Sequence, residues 1–267
     1  MEMALVICVG FAGAWLLKQN DTPPQLSGVP EPETDGQWEE TLLPTETEAP
    51  YTEPPTEPPT EPPSKVSVAT IGATGDILLH DLVIKSGYNA ETKEYNYDNI
   101  FKWFSKYVSE VDYAAANLEV TLCGDDNGYS YAGYPSFNSP DEIVDAAKNA
   151  GFDLISTANN HIYDKRCKGL QRTIDRLEAL KDKGHDIDYC GIAADSAQLR
   201  RTTPLKLRSK GMSISLANFT YGTNLGADKQ WPKVNYMSDK EQIAEALNKA
   251  SSSDLTLALP HWGEEYR

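Results

Sequence analysis

Five short apolar runs, the first of them rich in β-branched residues, punctuate the second part of the chain, at 66–71, 113–116, 152–158, 213–219 and 255–259. Their length and bounding turn residues predict strands. Between them, 100–108, 140–150 and 169–181 carry apolar positions at helical spacing. Asp141 and Glu142 open the second of these, and Gly151 stands just past its end, as helix start and stop signals do. Strands alternating with helices predict a largely parallel sheet covered on its faces, an α/β fold.

The first 64 residues follow another rule. An unbroken apolar and small-residue run covers 4–17. It is shorter than the roughly 20 residues of a typical membrane span and fits the apolar part of a signal or signal-anchor. Residues 1–20 are therefore expected to be the remnant of a signal-anchor that tethers the chain to a membrane, with the basic flank upstream of the recorded start. Residues 21–64 contain 12 of the 17 prolines, 11 acids and no Lys or Arg. A Thr-Glu-Pro-Pro repeat falls within 52–63. Proline favours extended backbone and the glutamates repel one another, so this segment predicts a disordered stalk. Fully extended, it would reach on the order of 130 Å. Residues 65–267 remain as one domain.

Charge narrows the partners. The chain carries a formal charge of −16, and taking out the 11 acids of 21–64 leaves about −5 for the domain. A mildly acidic domain has no basic footprint for nucleic acid. Three cysteines lie in the domain, Cys123, Cys167 and Cys190, without CxxC spacing. That count and spacing indicate free buried thiols rather than a disulfide framework or zinc ribbon, with a single bridge as the alternative.

Four of the five predicted strands end in residues able to bind a ligand. These are Asp76, Asn117 with Glu119, Asn159-Asn160-His161, and His261. In open α/β sheets ligands sit beyond the carboxyl ends of the strands, so four such endings predict one shared site. Carboxylates, amide oxygen and imidazole without thiolate suit Mn, Fe, Zn or Mg. One or two such ions, about 3.5–4 Å apart when paired, can clamp the oxygens of a phosphoryl transfer. His80 and His185 read as surface histidines and Trp262 as a wall or packing residue. The tyrosines within 129–134 read as an aromatic loop, with the lining of a substrate entrance as the alternative.

Gly-Asp at 75–76, Asn-Leu-Glu at 117–119, Gly-Phe-Asp running to Ala-Asn-Asn-His within 151–161, and His-Trp-Gly-Glu-Glu-Tyr at 261–266 resemble the capsule-synthesis CapA family. That family is associated with poly-γ-glutamate, and its domain is similar to calcineurin-like metallophosphoesterases. The resemblance implies a layered α/β/β/α sandwich over 65–267. It implies Asp76, Glu119, Asn160 and His261 as metal ligands and His161 as the proton donor or phosphate-facing group. Asn117 and Asp164 are expected to support them. The chain departs from the phosphoesterase Asp-x-His opening, because Leu78 follows Asp76 by two and the nearest histidine is His80. The family's His-Pro-His and Ser-Leu-Gly-Asn-Phe segments are absent before Arg267, so the domain is expected to be partial at its C-terminus.

Two readings of function stand side by side. One is a metal-dependent hydrolase or transferase acting on a phosphoester, amide or other cell-envelope bond. The other is a non-catalytic, stalk-tethered polymer-assembly, export or wall-binding factor with a vestigial site. Both expect the extracytoplasmic face of a cell membrane and an anionic exopolymer or wall component as partner.

Overall fold

The computed structural model describes residues 4–7, 67–182, 186–226 and 232–263. The predicted stalk, His185 and the Glu-Glu-Tyr of the last motif lie outside the described residues. The elements begin with β1 (Ala4–Ile7), β2 (Ile71–Ile77), α1 (Asp81–Ser86), a small hairpin of β3 (Tyr88–Asn89) and β4 (Glu94–Tyr95), α2 (Asp98–Phe101) and α3 (Ser105–Val108). Then come β5 (Tyr113–Leu118), α4 (Glu142–Ala150), β6 (Leu154–Ser156), α5 (Arg166–Asp182), β7 (Asp188–Cys190), β8 (Ile192–Ala193) and α6 (Ser196–Thr202). The last are β9 (Leu205–Ser209), β10 (Met212–Thr220), β11 (Lys233–Val234), α7 (Lys240–Ala250) and β12 (Leu255–His261).

Two four-stranded sheets form the frame, in the orders β2-β5-β6-β7 and β1-β12-β10-β9. The first is parallel throughout, and only β9 runs antiparallel in the second. Ala115, Leu154 and Cys190 from the first sheet share one apolar cluster with Ile214, Leu216 and Leu257 from the second. That cluster is the seam between the sheets. On the outer face of the first sheet, α4 buries Ile143, Val144 and Ala147, and α5 buries Leu170, Ile174 and Leu177. Ala246 of α7 packs with Ala217 and Phe219 of β10 on the outer face of the second. The layers run helix, sheet, sheet, helix, which fits a metallophosphatase-like fold. Each buried Leu or Ile contributes roughly 1.5–3 kcal/mol relative to an exposed one, so the seam and the two helix-covered faces hold the layers together.

The strands differ from the sequence reading in a way that matters for the site. The pattern places the first strand at 66–71 with Gly-Ala-Thr-Gly-Asp as its turn, whereas β2 runs through those residues to Ile77. As an edge strand with a half-exposed face, β2 is held by backbone pairing to β5 and needs no apolar alternation. The strand predicted at 113–116 extends to Leu118, and that at 255–259 to His261. The helix expected at 100–108 is two single turns, α2 and α3. Gly151 takes φ 108°, the left-handed cap that closes α4.

Ala4–Ile7, part of the run expected to be an anchor, lies as a strand parallel to β12. The remainder of 1–20 is outside the described residues. Among the described residues no helix is long and apolar enough to cross a membrane. Cys123 and Cys190 are buried and Cys167 half-buried, all three free. Burial raises the Cys123 thiol above its ordinary value and pushes that of Cys190 up to about 12.

Candidate metal centre

Backbone pairing brings the first two groups together. β2 and β5 place Asp76 opposite Asn117 at the carboxyl edge of the first sheet. Asn117 Nδ2 donates to Asp76 Oδ1 over 2.7 Å. Glu119 is the first residue beyond β5, and its N–H donates to the carbonyl of Ile77. The strand ladder therefore fixes both carboxylates at neighbouring positions.

The loop after β6 supplies the next three. Asn159 Nδ2 donates to Leu118 O over 2.8 Å and to Asn117 Oδ1 over 3.3 Å, while its Oδ1 accepts the N–H of His161. Asn159 thus folds the turn that presents Asn160 and His161. His161 Nδ1 lies 2.8 Å from Asp164 Oδ2, and that oxygen also accepts the Phe137 N–H. A carboxylate held this way assigns the ring proton to Nδ1 and leaves Nε2 facing the site. The Phe137 ring stands edge-on to the imidazole, with centroids 4.7 Å apart.

His261 comes from the second sheet, as the last residue of β12. Its two nitrogens face different groups. Nδ1 is 3.9 Å from Asp76 Oδ1 and 3.4 Å from Asn117 Nδ2. Nε2 is 3.7 Å from Glu119 Oε1 and 2.8 Å from Asn160 Oδ1. Glu119 Oε1 lies between the two imidazoles, 3.9 Å from His161 Nε2. Donor atoms of Asp76, Glu119 and His261 all fall within 4.8 Å of one another. Every residue singled out in the sequence for this site, Asp76, Asn117, Glu119, Asn160, His161, Asp164 and His261, lies in this one connected cluster.

Residues 70–267 match the family described as bacterial capsule synthesis protein PGA_cap. The chain belongs to that family. Among curated proteins, this PGA_cap member is 28% identical over 197 residues to the "Capsule biosynthesis protein CapA" of Bacillus anthracis, covering 71% of this chain and 46% of that protein. It is 25% identical over 202 residues to the "PGA biosynthesis protein CapA" of Bacillus subtilis (strain 168), covering 74% of this chain and 50% of that one. The chain spans about half the length of these curated relatives.

The donor set of this PGA_cap domain fits a divalent cation. Donors that share an ion at about 2.0–2.2 Å stand about 3–4 Å from one another, close to the separations found between His261, Asn160 and Glu119. Two carboxylates so close repel each other unless a cation lies between them. Glu119 is 6% exposed, whereas the Asp76 side chain is 46% exposed, so the cluster is closed on one side and open on the other. An open coordination position is what separates a reactive site from a structural one.

Four contributors escaped the sequence reading. Asn218 of β10 accepts the N–H groups of Thr157 and Ala158 and donates to Leu259 O, tying the loop after β6 to β12. The Asn224 side-chain nitrogen lies 3.2 and 3.3 Å from the two His161 ring nitrogens, and its backbone N–H donates to Asn160 O. The Tyr221 ring stacks on His261, and the Phe137 ring meets His161 edge-on. An asparagine inside the apolar run of β10 is a signal for Asn218. Asn224 reads as an ordinary loop residue and carries none. His80 is exposed, 5.2 Å from the Phe137 ring, and Trp262 is half-exposed.

Proposed function

We propose that this chain is the metal-binding part of a cell-envelope protein that works in poly-γ-glutamate capsule or exopolymer biosynthesis. In this reading Asp76, Glu119, Asn160 and His261 hold one or two divalent ions, Mn, Fe or Zn. The ion would supply Lewis acidity and charge neutralisation at a phosphoester or amide bond. Around it, His161 exchanges a proton with substrate through Nε2 while Asp164 holds the ring in place. Asn117 orients the Asp76 carboxylate. The acidic stalk, with the apolar residues ahead of it that do not pair with β12, would tether the domain on the outer face of the membrane, beside an anionic polymer. The observation that carries the reading is the meeting of Asp76, Glu119 and His261 within 4.8 Å, at an edge open to solvent.

The test is metal content and turnover together. Purified protein is stripped with EDTA and reloaded with Mn²⁺ or Zn²⁺. It is then assayed on aryl phosphomono- and diesters and on γ-glutamyl amides. About one or two ions per chain with chelator-sensitive hydrolysis is the expected result. Bound metal without turnover on any substrate would assign the chain to the non-catalytic assembly role, and no bound metal would sink both forms.

A further inference from the structure

A second concave feature lies beside the metal site and shares only Asp164 with it. It is a cleft of about 520 Å³, lined by Tyr129, Ser130, Asp164, Lys165, Arg166 and Lys168 among others. That volume falls within the range of about 300–1,000 Å³ typical of ligand sites. Three cations in four residues is a local reversal of sign in a domain that is acidic overall.

The charges are available. Among the described residues, no carboxylate approaches Lys165, Arg166 or Lys168 within 4.0 Å, while Arg172 beside them is paired with Asp126 and lies over the Tyr129 ring. Lys165 Nζ donates to Ser136 O over 2.8 Å and to Ser136 Oγ over 3.0 Å. Both acceptors are neutral, so the ammonium is held in place with its charge intact. One of its three donors is left for a ligand. Asp164, the one acid in the wall, directs its carboxylate inward to His161 Nδ1 and the Phe137 N–H.

The geometry points to this cleft as a carboxylate-binding subsite for an extended anionic polymer. Asp164 is the shared wall. It lines the cleft and bonds His161 at Nδ1, the ring nitrogen turned away from Glu119. The choice of a polycarboxylate rests on the capsule-polymer reading above, whereas the demand for anionic oxygens comes from the cations alone. An acidic domain repels such a polymer at long range, and a local cationic cleft offsets that repulsion where the chain must be held.

The test uses the 267-residue chain and a decamer of γ-linked glutamate, with binding measured by calorimetry at low ionic strength. EDTA-stripped protein should bind the decamer, and R166Q/K168Q should weaken binding about tenfold. K206Q/R208Q, which removes equal charge from the exposed face of β9, should leave it unchanged. All four positions are exposed, and matching thermal melts verify folding. If both variants weaken binding alike, or neither does, the cleft is no subsite. Inorganic polyphosphate displacing the decamer at lower concentration, charge for charge, would overturn the carboxylate assignment. Because the stripped protein is used, failure to bind metal sinks the proposed function without touching this result, and loss of cleft binding leaves metal loading intact.

Discussion

His261 Nε2 and Asn160 Oδ1 lie 2.8 Å apart although 101 residues separate them in the chain. One comes from the end of β12 in the second sheet, the other from the loop after β6 in the first. The candidate centre therefore exists only while the two sheets stay docked through Ala115, Leu154, Leu216 and Leu257. Removing a donor should then act on metal affinity and scarcely on folding. Asp76→Ala and His261→Ala are expected to weaken Mn²⁺ binding by more than about tenfold, since even outer-sphere partners of metal ligands cost about 10–100-fold. Calorimetric titration of stripped protein measures it, and wild-type affinity in both variants would remove these residues from the centre.

Asp164 makes a separable prediction. Its carboxylate holds the His161 ring without belonging to the Asp76, Glu119 and His261 cluster. Asp164→Asn keeps the shape and removes the charge that fixes the imidazole tautomer. Turnover should fall about 10–100-fold while metal content stays within error of wild type. The informative readout is kcat against pH alongside metal stoichiometry. A variant that loses metal and activity together would assign Asp164 a structural role instead.

Gly191 and Asn218 test the bridge between the sheets. Gly191 has φ 105°, and a Cβ there would stand 2.3 Å from Asn218 Oδ1 and 2.6 Å from Ala158 N. The added methyl would push apart the contact that positions the Asn-Asn-His loop. Gly191→Ala is expected to cost about 2–4 kcal/mol in denaturant unfolding. Asn218→Ala leaves the Ala158 N–H without its acceptor, at about 1–3 kcal/mol, while the Thr157 N–H keeps the Cys190 carbonyl. Gly191→Ala with an unchanged midpoint would mean that the two loops are held by something else.

Much of this was legible in the sequence because strand ends declare themselves. An apolar run followed by Asn-Asn-His or Asn-Leu-Glu marks both a strand and its functional edge. The α/β class followed from the alternation, and family membership from the motifs. What the pattern misplaced is β2, whose exposed edge position frees it from the apolar alternation that period-2 reading depends on. The small strands β8 and β11 are two residues each, too short to carry any period. The two-sheet division came from the family resemblance. Apolar runs are the same whether a strand joins the first or the second sheet. Asn224 was invisible because its part is set by a fold-back onto His161 across 63 residues.

The buried acids of another kind, thiols and phenols, set the alkaline limit. Burial pushes the Cys190 thiol up to about 12, and it raises the phenols of Tyr97, Tyr113, Tyr131, Tyr163 and Tyr189. Each is held neutral in the folded chain and ionises more readily once unfolded. Between its unfolded and folded values the folded state therefore carries the extra proton, and stability falls as pH rises. Their contribution is complete below about pH 9 and drains away through about pH 9–12 for Cys190, with the tyrosines adding above about pH 10. The unfolding midpoint should be flat from pH 7 to 9 and then drop, by a few kcal/mol of stability in all. Alkylation provides the residue-level check. At pH 8 iodoacetamide should modify Cys167, which is half-buried, and spare Cys123 and Cys190 until denaturant is added. Rapid labelling of Cys190 in the folded protein would show that the seam between the sheets is open, and with it the geometry on which the candidate centre depends.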